Sequence, residues 1–397
     1  MILELFNALL YITTLLWYWR KYRMFDAYFV LILAYSFTAV VSYFWQMSGL
    51  STYNNTNIFS YLYLYIVILI FFKPYQGFSL AGRIRFSENK TIKILTYIYI
   101  VSGIISIAYT LPQTIELIQS DDWGSLRNDL YADKDNIQLY GSQFERLAKN
   151  VSSYLGPFGT IMSFYYLSKG KKHIIITFLL FATWIGSSFV SATLVASRGM
   201  VVNVLLQVLT GFVLFKDVIS KKVKRIFAIS IGSIAGLSTL YLAAVSVSRF
   251  GEGDASQLSI FMYLGHAMQN FNENMMSTMH SFAGGKYFFS YFLNMFGIDP
   301  YFDRVALGYN GGSGFYTFVG SFYMDFGPIG TFIIALIICA LLKSVMKKRV
   351  IKISDMIIIT YFANFFMNGV FVIGPGAALL WFMMFVVYRI VKLSEIK

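Results

Sequence analysis

Apolar residues run through this chain in long blocks separated by short basic clusters. A bilayer core about 30 Å thick requires roughly 20 apolar residues per helix. On that ruler eleven stretches qualify, near 2–19, 25–48, 57–72, 92–112, 150–168, 173–195, 200–215, 226–247, 316–342, 353–372 and 376–391. Two of them, 57–72 and 200–215, are short, and the last two share the break Gly374-Pro375-Gly376. The pattern predicts an all-α polytopic membrane protein of about 11 transmembrane helices, with residues 1–397 forming a single transmembrane domain. No internal repeat at a fixed period is present. The first block lacks a basic lead and a small-residue cleavage site, so it is expected to stay as the first span.

Two long stretches fall between spans. The first, 113–149, is acidic and contains SDDWGSLRNDLYADKDN. The second, 248–315, carries the apolar pieces SIFMYLGHAMQNF and KYFFSYFLNMFG, too short to span, punctuated at Gly284-Gly285, Asp299-Pro300 and Gly311-Gly312-Ser313-Gly314. Such pieces are expected to lie in the interface or to dip back as re-entrant helices. Backbone that bends at membrane depth must be buried in protein or line a cavity.

Composition narrows the class. Hydrophobic residues make up 57% of the chain and charged residues 13%, against about 25% charged in an average globular protein. That is too little polar side chain to cover a water-soluble surface. The net charge of +13 does not point to nucleic acid, because its placement is that of membrane topology. Twenty-four of the 32 lysines and arginines fall on one side of the predicted spans, in the clusters at 20–23, 73–93, 169–172, 216–225, 343–352 and 389–397, and eight on the other. The positive-inside rule makes the first side cytoplasmic. The N-terminus is then outside, the C-terminus inside, and both long stretches exterior. The lone cysteine, Cys339, excludes an intrachain disulfide framework and a multi-cysteine zinc site. The basic loops hold no phosphate-cradling glycine loop with its lysine, so no engine for ATP-driven transport is visible.

Candidate chemistry lies on the exterior side. Arg198, in TLVASRGMVVN, is either an anion clamp or a snorkelling cap. Arg249, in SVSRFGEGD, and Arg304, in IDPYFDRVALGYNGGSG, either bind an anion or pair with Glu252, Asp254, Asp299 or Asp303. A helix through YLGHAMQNFNENMMSTMHSF would place His266, Glu273 and His280 on one stripe, near Asn270. That stripe is either a source of a general base or the wet face of an interfacial helix. Ligands seven residues apart are too distant for one ion, so no metal site is expected.

These residues resemble a known family. SRG at the exterior end of a middle hairpin, followed by a long exterior loop, is similar to the Wzy polymerases of O-antigen and capsular polysaccharide. NGGSGFYTFVGSFYMDFGPIG looks like their glycine-rich approach to a span bearing Tyr-x-Asp-Phe-Gly. O-antigen ligases share the arginine-plus-long-loop plan. The resemblance covers roughly 190–340 by motif, and the arginine–ten residues–glycine pattern of some members is missing from the second exterior loop.

The resemblance implies a metal-independent glycosyltransferase of the GT-C type that uses no cofactor. It would act on undecaprenyl-diphosphate-linked oligosaccharide repeat units at the bacterial cytoplasmic (inner) membrane, with the active site facing the periplasm or cell exterior. Arg198 and Arg249 would neutralise the leaving diphosphate, with Arg304 a third cation. A base among His280, His266 and Glu273 would activate the acceptor hydroxyl. The product would serve lipopolysaccharide or capsule biosynthesis, with a chain-length regulator as a partner protein. From the residues alone the competing class is a transporter, a lipid-linked oligosaccharide flippase, although an odd number of spans does not divide into equal halves.

Overall fold

A computed structural model describes residues 1–49, 51–86, 88–120, 142–194, 197–230, 232–233, 236, 238, 254–311 and 314–396. Among these residues there is no strand, only an isolated parallel bridge between Ile84 and Ile351. The principal helices are α1 (Ile2–Tyr22), α2 (Ala27–Met47), α3 (Ile58–Phe72), α4 (Lys90–Ser120), α5 (Gln143–Tyr154), α6 (Gly156–Lys169) and α7 (Ile174–Leu194). They continue as α8 (Arg198–Phe215), α9 (Asp254–Phe271), the short α10 (Ser290–Met295), α11 (Thr317–Met346), α12 (Ile353–Asn368) and α13 (Ala377–Ser394). Among the described residues seven helices are long and apolar enough to cross a membrane: α1, α2, α4, α7, α11, α13, and α3 with its extension to Tyr75. The chain is an all-helical, polytopic membrane protein.

The helices depart from the expected spans in informative places. The stretch 150–168 is broken, since α5 stops at Tyr154 and α6 starts at Gly156 with Pro157 in its first turn. Proline is tolerated there because the N–H it lacks would have no helical partner. The acidic stretch 113–149 opens as helix, because α4 runs through Pro112 to Ser120. The stretch 226–247 lies mostly outside the described residues.

The chain divides into two compact units at boundaries the apolar pattern does not mark. The first holds Met1–Ser79, Gln257–Arg349 and Phe362–Met383, and the second holds Leu80–Ser256, Val350–Tyr361 and Met384–Lys397. In the first unit α1 packs on α2 and α3, and α3 packs on α11. Its core is aromatic: Phe71 meets Phe318 and Phe366 at ring-centroid distances of 4.9 and 5.2 Å. Tilted and edge-on pairs of this kind add stability beyond the area they bury.

Side-chain caps sort the loops of this unit to its two ends. At one end the Asp26 carboxylate accepts from the N–H groups of Phe29 and Gly77, 2.9 and 2.8 Å away, and from the Tyr18 hydroxyl. That joins the basic loops after α1 and after α3. At the other end the side chains of Glu4, Asn272 and Glu273 all bind the 55–57 loop. In the second unit α4 packs on α5 and α7, and α6 and α8 pack on α7. The basic stretches around 83–90, 350–352 and 389–396 share one end. Asn89 donates to the Ser394 carbonyl at 2.7 Å, and Ser354 donates to Glu395 at 2.6 Å. The bridge at Ile351 completes the set.

Candidate functional site

The site is built on a break in α11. Pro328 has no N–H to give the Met324 carbonyl, and Gly327 sits at φ 65°, where glycine meets no steric penalty. The carbonyls freed by the break find other donors: Ala283 N–H reaches Met324 O at 2.9 Å, and Gly284 N–H reaches Asp325 O at 3.0 Å. Asp325 itself is 1% exposed. Its two carboxylate oxygens accept from the N–H groups of Tyr287 and Phe288 at 3.0 and 2.6 Å. A buried carboxylate is tolerated only when hydrogen-bonded in this way. The Tyr-x-Asp-Phe-Gly motif thus works as a clamp that seats the segment 283–288 in the kink of a span.

That seat carries a tyrosine cluster. The Tyr287 hydroxyl donates to Ile373 O at 2.7 Å, and the Arg304 guanidinium lies over the Tyr287 ring, 5.7 Å from its centroid. Tyr309 closes the turn on Arg304 through its N–H to Arg304 O at 2.9 Å, and its ring meets that of Tyr316 at 5.8 Å. Asn270, fully buried, donates to the Tyr309 hydroxyl at 3.0 Å and to Phe315 O at 2.7 Å. Burial pushes the Tyr309 hydroxyl up to about 12, with the Asn270 hydrogen bond and the Arg304 charge opposing it. Burial likewise raises that of Tyr287. Both stay protonated donors at neutral pH.

Arg304 forms no ion pair among the described residues. Its acidic neighbours are occupied elsewhere: Asp299 accepts from the Tyr301 N–H and Asp303 from the Val305 N–H, each at 2.9 Å. Its positive charge is held by an aromatic face.

The three candidate bases do not share a stripe. After Phe271 the α-helix gives way to a π-turn at Asn272–Met276, which inserts an extra residue into the period and turns the chain out of register. Asn272 fixes that turn with a reciprocal pair to Asn57, at 2.7 and 2.8 Å. His266 is 2% exposed, with Nδ1 against the Met262 carbonyl and its ring 5.3 Å from Phe315. Burial lowers its pKa, against the carbonyl's opposing pull, so the imidazole is a neutral core group. It lies where α9 crosses α2 closely: a Cβ on Gly265 would come within 2.9 Å of the Ser42 backbone nitrogen. Glu273 accepts from the Asn55 N–H at 2.8 Å. His280 is exposed and adjoins the Arg304 turn: its N–H donates to Leu307 O at 3.2 Å. A Cβ on Gly308 would come within 2.7 Å of its Nδ1.

Arg198 opens α8, whose first turn is capped by Ser197 accepting from the Met200 N–H at 3.4 Å. Arg249 lies outside the described residues. The structure therefore gathers His280 and Arg304 in the first unit, while Arg198 belongs to the second.

Two groups escaped the sequence reading. Asp325 belongs to the Tyr-x-Asp-Phe-Gly motif, and a carboxylate within an apolar span is itself a signal. Lys149 is the other. It lies in the strongly amphipathic α5, beside the buried Ala148, and donates to the Ser191 hydroxyl. Burial drives its ammonium down to about 8.

No protein-family model, no curated protein and no solved structure matches this chain.

Proposed function

We propose that this protein is a membrane glycosyltransferase that polymerises undecaprenyl-diphosphate-linked oligosaccharide repeat units into O-antigen or capsular polysaccharide on the outer leaflet. The observation that carries the reading is Arg304: a guanidinium without a carboxylate partner among the described residues, set on the Tyr287 ring, with an exposed histidine on the adjoining segment. A departing diphosphate needs positive charge where negative charge develops, and donors fixed in advance supply it without reorganisation. Energy resides in the diphosphate bond, so no nucleotide is consumed.

In this reading His280 is the base that takes the proton of the acceptor hydroxyl, since His266 is buried and Glu273 is committed to Asn55. Arg304 meets the leaving diphosphate, and Arg198 and Arg249 are the two further cations that the family resemblance assigns to it. The site faces the periplasm or cell exterior, the side with few basic residues. The Arg198→Ala protein is expected to insert normally and to leave cells with single-repeat surface glycans. Full chain-length ladders from that variant overturn the proposal.

The division into two compact units favours one second reading, a lipid-linked oligosaccharide flippase. Translocation without chain growth in inverted membrane vesicles selects it.

A further inference from the structure

One cavity lies wholly within the second unit. It measures about 810 Å³ and is lined by Ile84, Arg85, Phe86, Tyr165, Ser168, Lys169, Val218, Val350 and Lys352. Four separate chain segments meet there: the approach to α4, the end of α6, the turn after α8 and the approach to α12. The Ile84–Ile351 bridge locks two of them, with Arg85 N–H to Ile351 O at 3.0 Å and Ile351 N–H to Arg83 O at 2.8 Å. Each of the four segments belongs to a loop that the charge count reads as cytoplasmic.

Among the described residues three cations line this space and no carboxylate does. The acidic side chains nearby are engaged by other groups: Glu88 by the Tyr165 hydroxyl at 3.0 Å, Asp355 by the Lys352 N–H at 3.1 Å, and Glu395 by the Ser354 hydroxyl at 2.6 Å. Lys169 rests on the Tyr165 ring, 5.0 Å from its centroid, and Lys352 reaches only a backbone carbonyl, Glu395 O, at 3.4 Å. Arg85, Lys169 and Lys352 form no ion pair among the described residues. Beneath them the walls are hydrocarbon: Ile84, Phe86, Val218 and Val350. A bare inorganic anion gains nothing from such a floor. An amphiphile with a phosphate head and an apolar body uses both halves, and basic pockets at helix ends on the cytoplasmic side are suited to anionic lipid head groups.

We infer that this cavity is a binding site for a phosphate-bearing amphiphile, its phosphate oxygens on Arg85, Lys169 and Lys352 and its apolar part on Ile84, Phe86, Val218 and Val350. The two sources of that chemistry are an anionic phospholipid of the surrounding leaflet and a soluble phosphate ester. The inference does not rest on the proposed transferase reading, whose His280 and Arg304 lie in the first unit.

The test titrates the purified full-length protein with short-chain phosphatidylglycerol, short-chain phosphatidylcholine or glycerol 3-phosphate, counting bound molecules by native mass spectrometry and following the thermal midpoint. Phosphatidylglycerol is expected to bind at one saturable site and raise the midpoint, and phosphatidylcholine is not. Each of Arg85→Gln, Lys169→Gln and Lys352→Gln is expected to weaken binding about fivefold, and the triple variant about a hundredfold, as about one surface-cation contact is lost per change. Glycerol 3-phosphate binding as tight as that of phosphatidylglycerol, abolished by the same variants, overturns the apolar half of the inference and leaves a site for a phosphate group alone. If the triple variant fails to fold, the Lys169→Gln single change at the exposed end of α6 carries the test. Equal binding of both phospholipids, or undiminished binding by the single variants, overturns the inference.

Discussion

The tyrosine cluster of the first unit and the basic cavity of the second both hold cations without acidic partners among the described residues, yet they are built differently. Arg304 is fixed from several sides: its carbonyl is bonded by Tyr309, its guanidinium lies over Tyr287, and the segment beneath is clamped by Asp325. Arg85, Lys169 and Lys352 instead are exposed beside apolar walls, Lys169 at the end of α6 and the other two in the segments leading into α4 and α12. A group meant to meet charge that develops during a reaction must be oriented beforehand. A group that retains a lipid needs only charge above hydrocarbon. The contrast fits the proposed chemistry in the first region and the inferred retention of a ligand in the second.

The sharpest way to break the contrast is to release the clamp. Asp325→Asn leaves an amide N–H₂ facing backbone N–H donors, with a cost of about 2–3 kcal/mol in a buried site. The purified variant is expected to unfold at lower temperature and to become trypsin-sensitive at Lys286 and Arg304, while chain growth is lost. Unchanged cleavage would show that the carboxylate does not seat the loop.

A smaller change keeps the seat and alters the charge. Arg304→Lys retains one positive charge but loses the planar group that lies on the Tyr287 ring. Turnover is expected to fall about 100-fold with little change in substrate KM, the loss typical of a single stabilising donor. A wild-type rate for this variant would place Arg304 outside the reaction.

The smallest effect concerns Lys149, a cation whose surroundings resemble neither region. Burial disfavours its charged form, bringing it to about 8, whereas an exposed lysine titrates near 10.4. Between about pH 8 and 10 Lys149 is therefore mainly the neutral, nucleophilic amine while exposed lysines remain charged. Amine acylation followed by peptide mapping is expected to show its labelling rise with a midpoint near pH 8. A midpoint near 10 would mean the ammonium is solvated.

Much of this architecture was legible in the sequence. The third apolar block, placed at 57–72, is α3 at Ile58–Phe72, because an unbroken run of isoleucine, leucine and aromatics has little choice but helix in lipid. The basic clusters announced which loops share an end in each unit. The His266–Glu273–His280 stripe failed for a local reason. A 3.6-residue period presumes continuous α-helix, and the Asn272 pairing with Asn57, 215 residues away in sequence, stabilises a π-turn that no local pattern encodes. The role of Asp325 was hidden for the same reason, since its partners come from a segment 37 and 38 residues earlier.

The most direct test of the transferase account is chain growth by the purified protein in liposomes supplied with one defined diphosphate-linked repeat unit. The account predicts a ladder of products from the wild type, with none from His280→Ala or Arg304→Ala proteins that retain the wild-type thermal midpoint. Single-unit product from the wild type, or an undiminished ladder from either variant, would contradict it.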